Sequence, residues 1–88
     1  MMWKEVKFSF KPKDLNDMVR IDKLIRRHQT RKNTIDSGYR TQENVREHFV
    51  PLEIADQVRE TLRKEGIEFE EKEREYYIRP KNETTDEG

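Results

Sequence analysis

Apolar residues fall at every second position over residues 6–10 and at every third or fourth over residues 15–28. That change of period constrains the fold more than any other feature of the chain. In the first stretch Val6, Phe8 and Phe10 point one way while Glu5, Lys7, Ser9 and Lys11 point the other, as in a half-buried strand. Pro12 ends it, because proline cannot donate to a β-ladder and suits the first turn of a helix. Leu15, Met18, Ile21, Ile25 and His28 then mark one helical stripe, widened by Val19 and Leu24. Asp14 and Asp17 at its start and Arg31 and Lys32 at its end complement the helix dipole, so the pattern predicts a helix over residues 13–32.

Residues 33–40 bring Asn, Asp, Ser and Gly in quick succession, which reads as a loop. Thr41 looks like an N-cap for a second helical stretch over residues 42–48, and Pro51 restarts the helix. A continuous helix kinked at Pro51 is the other possibility, since Val45, Phe49, Leu52, Ala55, Val58 and Leu62 stay nearly in phase. Gly66 closes it as a left-handed cap. Residues 67–71 and 75–79 alternate again and predict a hairpin turning near residues 72–74, with Ile67, Phe69, Tyr76 and Ile78 facing inward. No apolar residue follows Pro80, so residues 81–88 read as an acidic, disordered tail. The expectation is one α+β domain over residues 1–80, of order β-α-α-β-β, with helices packed on one face of a three-stranded sheet.

Eighty-eight residues make one small domain at most. Cysteine is absent, which removes disulfides and thiolate chemistry and suits a reducing compartment. No run of ~18 apolar residues is present to span a membrane. Lys4, Glu5 and Lys7 stand where the apolar core of a leader would lie. A cytoplasmic location with no membrane partner is therefore expected.

Charge is balanced in sum and lopsided in place. Lys and Arg total 19, as do Asp and Glu, yet residues 11–46 hold ten bases against five acids while residues 47–88 hold seven against thirteen. Arg20, Lys23, Arg27 and Arg31 recur at helical steps opposite the apolar stripe; Arg26, Lys32, Tyr39 and Arg40 extend the block. A cationic ridge beside an aromatic ring can neutralise phosphates and stack a base, so these eight residues are the candidate DNA- or RNA-binding site. The competing expectation is an ordinary solvated helix face, or one neutralised by the acidic half of the same chain. The alternative function is protein interaction, as an adaptor, inhibitor or self-associating subunit. It would dock through an apolar patch near Trp3 or through the acidic helix and hairpin.

From Pro51 to Arg79 the helix-then-hairpin cadence resembles a winged-helix module, but Glu53 and Asp56 at the start of the would-be reading helix would meet phosphates poorly. A ribbon-helix-helix arrangement, with Lys7, Ser9 and Lys11 on its strand, is contradicted by the long loop and extra hairpin. Neither family is assigned. Gly38, Gly66 and Gly88 are isolated, so no phosphate-cradling loop is encoded. His28 and His48 on antiparallel helices could form an acid–base pair, or a zinc site with Glu47 and Asp36, but His28 continues the apolar stripe. No serine sits in a nucleophile setting. A non-catalytic binding module without cofactor, metal or small-molecule substrate is the expectation.

Overall fold

The computed structural model describes residues 2–77. Six elements follow in order: β1 (Met2–Phe10), α1 (Leu15–Arg26), β2 (Asp36–Arg40), β3 (Val45–Pro51), α2 (Leu52–Lys64) and β4 (Glu70–Tyr77). The strands form one sheet of order β2-β3-β1-β4, with every neighbouring pair antiparallel. This is the split β-α-β topology of ferredoxin-like folds, an architecture that hosts many unrelated activities. No helix among the described residues is long and apolar enough to cross a membrane.

The α+β class and the covering of one sheet face by both helices match the reading of the sequence, but the element order does not. Residues 36–40, expected as a loop, form β2. Residues 45–51, expected as helix, form β3. Val45 and Phe49 fit a helical step of four equally well as positions on one face of a strand, and the apolar set alone does not separate the two periods. The hairpin between β2 and β3 turns on Asn44 at φ 55°, a left-handed conformation that asparagine tolerates. Pro51 neither kinks nor divides a helix; it closes β3 and stands at the N-cap of α2. Residues 70–77 run as one uninterrupted strand where a hairpin was expected; with β2 and β3 added, the sheet has four strands and not three. Ile78 and the acidic tail lie outside the described residues, as does the side chain of Tyr76.

β1 lies at the centre and alternates as its sequence dictates. Val6, Phe8 and Phe10 face the helices and are buried, while Trp3, Lys7 and Ser9 share the uncovered face and are only half-buried. α1 contributes Ile21 and Ile25 to the core, and α2 contributes Ile54, Ala55, Val58 and Leu62. Burying a side chain of this size stabilises the fold by roughly 1.5–3 kcal/mol. Phe69, just before β4, packs edge-on against Phe8 with ring centroids 5.7 Å apart.

Local chemistry sets the helix ends. Asp14 caps α1 by accepting from the Asp17 backbone N–H at 2.8 Å, and Asp17 reaches back to the Lys13 N–H at 2.9 Å, a reciprocal capping box. The Lys13 N–H, followed by Arg20, holds the Asp17 carboxyl below its ordinary range. α1 stops at Arg26, short of residue 32, and α2 ends at Lys64, with Glu65 at its C-cap before Gly66 at φ 69°, the left-handed residue expected there.

Candidate nucleic-acid interface

Beyond α1 the backbone turns tightly. The Thr30 N–H donates to the Asn33 carbonyl at 3.0 Å, and the Asn33 N–H donates to Thr30 Oγ1 at 3.1 Å. Gln29 Oε1 accepts from the Ile35 N–H at 2.9 Å, and buried Ile35 pins the far end of the turn in the core. Arg31 and Lys32 therefore project from the two-residue tip of a closed turn, and Arg27 occupies the C-cap position of α1. His28 Nε2 lies 2.7 Å from Thr61 Oγ1, tying this corner to α2. Lys23, Arg27, Arg31 and Lys32 are exposed and have no carboxylate partner among the described residues.

The other sequence-derived members are placed differently. Arg20 pairs with Asp17 at 3.1 Å. Arg26 donates to Ser37 Oγ at 3.0 Å. The Tyr39 hydroxyl donates to Asn44 at 2.8 Å. Arg40 is held by Glu43 at 3.0 Å and Glu47 at 3.7 Å, and its register with Val45 turns it toward the uncovered sheet face, away from the helices. Lys23, Arg27, Arg31 and Lys32 are thus exposed on the last turns of α1 and the turn that follows it, whereas Arg40 faces the other side of the sheet. Trp3 lies on the uncovered face, half-buried, its ring N–H donating to Glu5 at 3.0 Å.

Among the described residues, no carboxylate of the acidic half pairs with this group. Glu71 and Asp56 hold Arg59, and Glu47 holds Lys7 and Arg40. On the uncovered face a shallow depression of about 910 Å³ is bordered by Lys7, Lys11, Arg40 and Lys72, but also by Glu68, Glu70 and Glu71. Such mixed lining offers an anion little net attraction.

One arrangement escaped the sequence. Histidine 48, fully buried on β3, stacks on Phe10 at 6.0 Å between centroids. Its Nε2 lies 2.8 Å from Asp22 Oδ1 and its Nδ1 lies 2.8 Å from Ser37 Oγ. Arg46 closes bidentate on Asp22 at 2.6 and 3.1 Å. Because the carboxylate accepts, the neutral ring carries its proton on Nε2, so Ser37 donates to Nδ1 and its oxygen accepts from Arg26. Burial pushes the imidazole down to about 4, against the opposing pull of Asp22 and with help from Arg46 and Arg26. Serine, imidazole and carboxylate stand in the order of a nucleophile relay, yet the ring is a weak base at neutral pH and is sealed from solvent. What the network does is lock α1 onto β2 and β3. The pairing of His28 with His48 does not occur, since each histidine has its own partner. Among the described residues no cluster of three or more metal-ligating side chains forms.

No family model, curated protein or solved structure matches the chain.

Proposed function

We propose that this chain is a non-catalytic, nucleic-acid-associated or regulatory module that contacts phosphates through Lys23, Arg27, Arg31 and Lys32, with Arg26 at the margin. The observation that supports this reading is the exposure of those four bases without a carboxylate partner among the described residues. With the backbone of the helix end and the closed turn already fixed, the ordering cost of meeting a phosphate is confined to the side chains. Contacts of this kind position a backbone without reading bases, so binding is weakly sequence-selective and strongly dependent on salt. Arg20, Tyr39 and Arg40 are secondary members, each engaged within the chain. Fluorescence anisotropy with labelled single- and double-stranded oligonucleotides at low salt tests the reading. Binding of either form supports it, and absence of binding to both overturns it.

A further inference from the structure

β2 ends the sheet: it pairs with β3 on one side and with no described strand on the other. Beside this open edge lie three large apolar side chains left in water, Leu15 (68% exposed), Val19 (42%) and Tyr39 (41%). At the helical step, Leu15 and Val19 share the flank of α1 that carries Asp22 and Arg26, the residues that reach β3 and β2. Tyr39 stands on the same sheet face as Ser37, and its partner Asn44 donates to the Pro12 carbonyl at 2.9 Å, just ahead of α1. The three therefore line one strip along the β2 edge. An apolar strip beside unpaired strand backbone is a template for another strand.

We propose that a second copy of this chain covers the strip, its β2 pairing antiparallel with this β2 about a two-fold axis at Gly38. Such an interface is self-complementary by symmetry. In that register Asp36 stands opposite the second copy's Arg40, and Arg40 opposite the second copy's Asp36. Asp36 has no ion-pair partner among the described residues. Arg40 already meets Glu43 and Glu47, but a guanidinium has donors to spare. An axis perpendicular to the sheet keeps both copies' helices on one face, so the two Leu15–Val19 flanks meet across it. Lys23 and Arg27 turn farther from the sheet and stay in water.

The opposite edge excludes the same solution. β4 carries Glu71, Glu73 and Glu75 on one face and Lys72 and Arg74 on the other. A two-fold pairing centred on Lys72, Glu73 or Arg74 sets glutamate against glutamate, which opposes association. On β2 the symmetric pairing about Gly38 brings opposite charges together with no like-charged pair beside them.

The test is a charge swap on the full chain, read by sedimentation equilibrium over a concentration series. Wild type is expected at twice its 10.8 kDa mass. Asp36→Arg alone and Arg40→Asp alone should each weaken the dimer by about tenfold or more, since two symmetric pairs turn repulsive. Mixing the two single variants should restore association as a heterodimer, because every facing pair is then of opposite sign. Val19→Glu, which leaves the hairpin untouched, should dissociate the dimer with unchanged far-UV circular dichroism. It keeps the proposal testable if Arg40→Asp fails to fold. A wild type that stays monomeric up to about 1 mM, or a dimer indifferent to Asp36→Arg and Val19→Glu, overturns the proposal.

Discussion

Asp22 on α1 accepts from the Nε2–H of His48 on β3 at 2.8 Å, and this one contact decides which nitrogen of a fully buried imidazole holds the proton. Everything else in the cluster follows from it. Ser37 must donate to the other nitrogen, Arg26 must donate to Ser37, and Arg46 completes the carboxylate. No buried side-chain nitrogen or oxygen among the described residues is left without a partner.

The first consequence is a pH-dependent stability. His48 sits at about 4 when folded, against 6.5 for the free side chain. Below pH 6.5 the unfolded chain takes up a proton that the folded chain refuses, so this part of the stability is full above 6.5 and falls as pH drops toward 4. Urea unfolding should show a loss of about 2 kcal/mol between pH 7 and pH 5 from this group. His48→Gln should abolish that slope while lowering stability at pH 7. Equal slopes in the two proteins would remove His48 from the explanation.

Asp22→Asn keeps an acceptor for His48 but strips the charge from the bidentate pair with Arg46. A loss of about 1–3 kcal/mol is expected, because a half-buried guanidinium loses its carboxylate. The same change removes the one group that raises the His48 value, so the ring should titrate lower still. A two-dimensional NMR titration of the His48 ring reads this directly.

Gly66 supplies a test of local backbone strain. It holds φ 69°, and an added Cβ would meet nothing within 4 Å. Gly66→Ala should therefore cost only the left-handed penalty, about 1 kcal/mol, by chemical denaturation. Leu62→Ala, at a side chain with no exposed surface, should cost roughly 2–5 kcal/mol.

The parts of the fold legible in the sequence are those where one period dominates. Val6, Phe8 and Phe10 announce β1, the stripe through Ile21 and Ile25 announces α1, and Gly66 marks the end of α2. β3 was illegible because it is apolar on both faces: Val45 and Phe49 line the uncovered side, and Val50 the core. β4 alternates in charge and not in hydrophobicity, so Lys72 to Arg74 looked like a turn. Of the candidate site, helical spacing was enough to find Lys23 and Arg27. The Thr30–Asn33 turn closes through hydrogen bonds that no spacing rule marks, and the withdrawal of Arg40 to the other face depends on β2, which low β-propensity residues such as Asp36 and Gly38 disguise. The Asp22–His48–Ser37 chain joins three elements, and no local pattern encodes it; the hairpin turn at residues 41–44 is marked in the sequence only by Asn44, a residue that tolerates the left-handed φ it adopts there.

The phosphate-binding account stands or falls on the salt dependence of oligonucleotide affinity, compared between wild type and the double variant Arg27→Glu/Arg31→Glu. With about four phosphates engaged on a duplex, log affinity should fall against log salt with a slope of about −3.5. The variant should lose all measurable binding at low salt while keeping its circular dichroism spectrum. Affinity that ignores salt, or a variant that binds like wild type, would contradict the account.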